Sequence, residues 1–180
     1  MAQIMGRCGK YVQGYGVLKE LKKYCDWMGD RFFVIATKGR LRDHKETIEK
    51  ALEGKEIFFY EYFGECSYEN IAKIREEAEK FKAQVVVGVG GGKVVDSAKA
   101  VAFQLGCLRE IIIPTIAATD AYTSAASCIY SEETHMMTEA LNSPTNPDLV
   151  LVDTEVLVKA PVRQFVSGMG DALSTYVGGL

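Results

Sequence analysis

The stretch VVVGVGGGKVVDSAKAVA, residues 85–102, sets Gly88, Gly90, Gly91 and Gly92 between an apolar run and a segment of helical character, with Lys93 directly after them. Glycines at such a junction let backbone N–H groups approach an anion with no Cβ in the way, and the start of the helix adds partial positive charge. A pyrophosphate is the ligand this chemistry predicts. The spacing matches neither familiar phosphate fingerprint. Lys93 stands where G-x-G-x-x-G has its last glycine, and the P-loop pattern would need a glycine at Val87 and a hydroxyl residue at Val94. ATP binding is therefore a weak reading. The competing reading is that the glycines only let a helix pack closely on a strand.

Other reactive side chains are sparse. Cys8, Cys25, Cys66, Cys107 and Cys128 are odd in number and include no C-x-x-C pair, so neither a disulfide framework nor a cysteine zinc site is indicated. The histidines, His44 and His135, fall in a charged helix and a hairpin, where a solvated surface role is expected of both. A net charge of −3 with mixed signs leaves no basic face for nucleic acid. No run approaches the ~20 apolar residues of a membrane span, and MAQIMGRCGK lacks the apolar core of a secretory signal. A cytoplasmic setting is expected.

The elements that would hold the glycine loop follow from periodicity. FFVIA (32–36), IFFYEYF (57–63), VVVGV (85–89) and EIIIP (110–114) read as strands. The segments after the first three carry apolar residues at helical spacing, for example Ile71, Ile74, Ala78 and Phe81. Strands apolar at nearly every position belong to a parallel sheet covered on both faces, so the expected fold class is α/β, doubly wound and Rossmann-like. After Pro114, TIAATDAYTSAAS is too long and polar for a tight turn and reads as a functional loop. SCIYSEETHMMT reads as a hairpin turning at Ser131, Glu132 and Glu133, NPDLVLVD as a last buried strand, and KAPVRQFVSGMGDALSTY as the start of a helix.

These blocks, taken with KYVQGYGVL, occur in the order and spacing of a known family: the chain resembles the glycerol dehydrogenases of the iron-containing alcohol dehydrogenase superfamily. The resemblance implies a dinucleotide-binding α/β domain over residues 1–160 and, over 161–180, the start of a helical domain that is otherwise essentially absent. It implies oxidation of glycerol or a similar small polyol with NAD and a divalent metal, zinc by the family's pattern. Gly91, Gly92, Lys93 and Asp96 would hold the pyrophosphate and nicotinamide ribose. Thr115, Ala118 and Thr119 would line the same nucleotide, and Ser124, Ala126 and Tyr130 would surround the nicotinamide. Asp120 matches the substrate-side aspartate and Asp171 the first metal ligand. Taken singly, Asp96 could be an exposed helix residue, Asp120 a turn former, and Asp171 a charge at a helix start.

The sequence departs from the family in three places. Neither histidine matches the metal histidines, which belong to the helical domain beyond residue 180, so the metal site is expected to be incomplete. A helix starting at Asp171 is expected to break after Tyr176, at Val-Gly-Gly-Leu. Thr37, Lys38 and Arg40 follow the strand at 32–36, where NAD-selective enzymes place an acid, which leaves NADP open. Such a chain is expected to be inactive or weak alone, and to self-associate or accept a complementing helical domain. A non-catalytic nucleotide-binding or assembly module is the alternative, with glycerol-phosphate or hydroxycarboxylate dehydrogenases as relatives within the enzyme class.

Overall fold

The first strand of the protein is one that periodicity does not reveal. The computed structural model of the chain describes residues 8–178, with side chains through Ser174. Strand β1 (Lys10–Gly14) has only Val12 and Gly14 partly covered, so its apolar signal is faint. A 3-10 turn (Val17–Glu20), the short helix α1 (Leu21–Cys25) and a second 3-10 turn (Asp26–Met28) then lead to β2 (Arg31–Thr37). Next come α2 (Lys38–Ala51), β3 (Glu56–Tyr62), α3 (Tyr68–Phe81), β4 (Val85–Gly90), α4 (Gly92–Gln104) and β5 (Arg109–Pro114). An antiparallel hairpin, β6 (Ala126–Tyr130) and β7 (Met137–Asn142), precedes β8 (Leu149–Asp153), α5 (Thr154–Leu157) and α6 (Val162–Gly178).

Six strands form one sheet in the order β1-β8-β5-β4-β2-β3, and every pairing in it is parallel. The alternation of side chains splits each inner strand between two cores. Phe33, Ile35, Val86, Ile112 and Val150 face α3 and α4. Phe32, Val34, Val85, Val87, Ile111 and Leu149 face α1, α2 and α5. From β2 the chain moves outward to β3, whereas β4, β5 and β8 build the other way. The winding therefore reverses between β2 and β4, and a crevice opens there outside the carboxyl ends of the strands.

Two expectations are corrected. His44 is buried, 8 % exposed on α2, with its Nε2 lacking a partner, and burial lowers its pKa. It faces the core because it lies one turn before Ile48 on the inward stripe of the helix. Helix α6 starts at Val162, so Asp171 lies in its interior, and the helix runs through Gly178 without breaking at Tyr176. Gly179 and Leu180 lie outside the described residues. Only Gln164, Gly168 and Asp171, spaced four and three apart, are partly covered in the first part of α6, while Val162, Phe165, Val166, Met169 and Leu173 are each more than half exposed. Among the described residues, no helix is long and apolar enough to cross a membrane.

Candidate active site

The crevice between β2 and β4 is a cavity of about 670 Å³ lined by Thr37, Glu61, Gly64, Gly91, Gly92 and Lys93, among others. Glycine chemistry divides along the loop. A Cβ on Gly88 would lie 2.8 Å from the Ala98 Cβ, and one on Gly90 would lie 2.9 Å from the Val94 Cβ. Those two glycines admit α4 to the sheet, as the packing reading expects. A Cβ on Gly91 would meet Ile116 at 2.8 Å, whereas Gly92 has nothing nearer than Thr119 at 3.9 Å. Gly91 caps α4 without a side-chain hydrogen bond, and the first turn of the helix carries no acid. The Val94 and Val95 N–H groups donate to the Gly91 carbonyl at 3.1 Å, which leaves the Gly92 and Lys93 N–H groups at this end as the donors without a partner in the helix.

Lys93 lies on the rim, its Nζ 2.6 Å from Glu65 Oε1. Glu65 is mostly buried, its Oε2 has no hydrogen-bond partner, and His135 Nδ1 lies 3.5 Å from Oε1. An anion entering the cavity would therefore meet a lysine already shared with a carboxylate. Asp96 does not line the cavity. It is 5 % exposed, lies 2.8 Å from Lys99 Nζ through Oδ1, and accepts the Cys128 N–H through Oδ2 at 3.1 Å. Burial raises the Asp96 carboxyl pKa, opposed by Lys99 and the Cys128 amide. Thr115 is also buried, its N–H donating to the Gly90 carbonyl at 3.1 Å, which ties the ends of β4 and β5 together.

A second cavity, about 490 Å³, lies over the ends of β5, β8 and β1 against α6, and Ile116 lines both cavities. Asp120 and Asp171, distant in sequence, meet here: the Asp120 N–H donates to Asp171 Oδ2 at 2.9 Å. Gly168 makes this possible, because a Cβ there would lie 2.1 Å from the Ala117 carbonyl oxygen. Thr119 joins the same wall, and its Oγ1 accepts the Ala121 N–H at 3.2 Å. Ala118 is half-buried in the loop between the cavities. Ser124 Oγ donates to the Ala121 carbonyl at 3.2 Å, Ala126 begins β6, and Tyr130 closes it with its N–H on the Cys66 carbonyl at 2.8 Å.

Among the described residues, no three His, Cys, Asp or Glu side chains are grouped to hold a metal ion. Asp171 is one carboxylate where such a site needs several ligands, so these residues do not by themselves fit a metal. Sequence reasoning missed Glu65, Ile116 and Lys99. For Lys99 a signal existed: a lysine in the run SAKAVA, flanked on all sides by small apolar residues, three positions after an aspartate.

A parallel sheet with reversed winding and a glycine loop capping a helix at the reversal defines a Rossmann-like α/β protein. More narrowly, the chain belongs to the family described as iron-containing alcohol dehydrogenase, whose model matches residues 8–154. It is 38 % identical over 178 residues to a glycerol dehydrogenase of Escherichia coli O6:H1, covering 98 % of this chain and 48 % of the relative. A glycerol dehydrogenase of Thermotoga maritima is 43 % identical over 173 residues, covering 93 % and 46 % respectively. A solved structure of a probable glycerol dehydrogenase from Sinorhizobium meliloti 1021 matches with a TM-score of 0.91 at 39 % identity, over 98 % of this chain and 48 % of that one. The chain thus spans about half the length of the curated relatives it matches.

Proposed function

We propose that the chain is the cofactor-binding part of an NAD-dependent, metal-assisted dehydrogenase that oxidises glycerol or a similar small polyol to the hydroxyketone. The observation that carries this reading is the open cavity at the winding reversal, where Gly91, Gly92 and the donor end of α4 meet Thr37 from β2. The pyrophosphate sits on Gly91, Gly92 and the first turn of α4, with Lys93 as the nearby cation. The adenosine ribose lies toward Thr37. The reactive end crosses Ile116 toward the loop bearing Ala118, Thr119, Ser124 and Ala126, with Tyr130 beyond.

The reaction moves a hydride from the alcohol carbon to the nicotinamide and releases the hydroxyl proton. A divalent metal, zinc by resemblance, would stabilise the alkoxide. Asp120 orients the polyol hydroxyls, and Asp171 would supply one anionic ligand of a metal whose other ligands a complementing helical domain would bring. Among the described residues lining the second cavity there is no lysine or arginine, which disfavours a phosphorylated substrate. Residues 161–180 begin a helical domain in this reading, which the exposed apolar positions of α6 support. Self-association or a complementing helical domain would cover them. A cytoplasmic setting goes with the free thiols, among them Cys25 and Cys66, both buried.

Fluorescence titration of the chain with NADH, and separately NADPH, tests the binding half of this reading. Saturable binding that Gly92→Glu abolishes is expected. Absence of binding to either nucleotide would remove the glycine loop as a dinucleotide site. Addition of a helical domain in trans tests the catalytic half: metal-dependent glycerol oxidation is expected, and binding without it would favour a non-catalytic nucleotide module.

A further inference from the structure

Within helix α4, whose buried residues besides Asp96 and Ser97 are alanines and valines, Lys99 is 1 % exposed. Its ammonium is not left to one counter-ion. It lies 2.8 Å from Asp96 Oδ1 and donates to the carbonyls of Ala121, at 3.0 Å, Ser124, at 3.5 Å, and Ala126. Three backbone carbonyls from one short segment therefore converge on one cation, as they would around a bound metal ion. Asp96 completes the grip by accepting the Cys128 N–H at 3.1 Å.

Up to Ala126, where β6 begins, the segment lies outside helix and strand. Its own backbone bonds are long, Thr123 N–H to the Asp120 carbonyl at 3.3 Å and Ser124 N–H to the Ala121 carbonyl at 3.4 Å. Its short external ties are the Asn146 side-chain amide on the Thr123 carbonyl at 2.7 Å, the Asp120 N–H on Asp171 Oδ2 at 2.9 Å and the Ser143 N–H on the Ala125 carbonyl at 3.0 Å. A buried ammonium with its hydration removed needs these carbonyls, and those of Ala121 and Ser124, outside any helix or strand, gain a charged donor from it. The same segment begins at Asp120, whose N–H meets Asp171, and contains Ser124.

We propose that Lys99 is a positioning residue: its buried ammonium, with Asp96 as counter-ion, templates residues 120–126 and so sets where the reactive end of the dinucleotide and the Asp120–Asp171 pair lie. The inference rests on the proposed dinucleotide site for its functional half. Its structural half concerns the loop alone. The adenosine end of the cofactor, at Thr37 and Gly92, lies on the other side of α4's first turn and does not depend on this template.

The test compares the chain with Lys99→Met and with the double variant Asp96→Asn/Lys99→Met, in which a buried ion pair is replaced by neutral groups of similar shape. Such replacement is often close to neutral for stability, so the double variant guards against simple unfolding. In a folded variant, NADH affinity should fall about tenfold or more, the effect of losing hydrogen bonds to a charged group, while ADP affinity stays within about twofold. Hydrogen exchange should show lost protection across residues 120–126 with α4 still protected. Equal weakening of NADH and ADP, or unchanged NADH affinity, would overturn the positioning role. Unchanged loop protection would overturn the template itself. If the unsubstituted chain binds neither nucleotide, the proposed function fails, and the exchange measurement still decides whether Lys99 shapes the loop.

Discussion

Two glycines of one helix should respond to the same substitution with opposite signs. Gly168 and Gly170 both lie inside α6, where replacing glycine by alanine ordinarily gains about 0.5–1 kcal/mol through reduced chain entropy. Gly170 has nothing within 4 Å of its Cβ position, so Gly170→Ala should show that gain. At Gly168 the added methyl would lie 2.1 Å from the Ala117 carbonyl oxygen and 2.9 Å from the Ala117 carbonyl carbon. Both atoms are backbone and cannot rotate aside, so the helix must lift from the loop by roughly 1 Å, a displacement in the range where overpacking costs ~1–3 kcal/mol. That movement also stretches the 2.9 Å bond from the Asp120 N–H to Asp171, worth about 1 kcal/mol more. Net destabilisation of about 1–3 kcal/mol is expected for Gly168→Ala, against a gain for Gly170→Ala. Urea unfolding followed by circular dichroism measures both. Equal stabilisation by the two substitutions would refute the close approach of α6 to the 117–118 loop, and with it the pairing of Asp120 and Asp171.

Glu110 gives a pH signature: burial, with Asp148 and Asp96 adding, pushes its carboxyl from 4.5 up to about 8 while Lys99 opposes the rise. The folded chain then binds this proton more tightly than the unfolded one, so the contribution is fully present below pH 4.5 and is lost as pH rises through about 8. Glu110→Gln should flatten that decline and raise stability at pH 9 by on the order of 3 kcal/mol; parallel pH profiles of urea stability would contradict it. Thr37→Asp should lower NADPH affinity relative to NADH about tenfold by placing a carboxylate against the 2′-phosphate, and an unchanged ratio in the fluorescence titration would move the ribose elsewhere. Asp120→Ala should leave NADH affinity within about twofold while abolishing turnover in an enzyme completed by its helical domain; retained turnover would remove Asp120 from substrate handling.

The strands at 31–37, 85–90 and 109–114 were legible because parallel strands buried on both faces are written as unbroken apolar runs. The glycine loop between β4 and α4 was legible because close backbone approach has few solutions in residue type. Strand β1 was not, since an edge strand with Lys10, Tyr11 and Gln13 exposed carries almost no burial pattern. His44 misled for the opposite reason: its neighbours Arg42, Asp43 and Lys45 are charged, but the helix turns its side chain inward beside Ile48.

Asp96 marks the boundary between the two kinds of information. Its place one turn into α4, after GGGK, suits a cofactor contact, and nothing local distinguishes that from a buried ion pair. The difference depends on where residues 121–128 pass, and no local pattern records that path. The sequence by itself determined the α/β class, through short-range periodicity, and the family resemblance, through motif blocks in a known order, and it singled out the glycine loop by its residue chemistry. Only the tertiary structure decided that Gly88 and Gly90 serve packing, that Lys93 is shared with Glu65, that Lys99 gathers a loop around its charge, and that Asp120 meets Asp171. Each of those is a contact between segments far apart in the chain, and its energy depends on distance in space rather than separation in sequence.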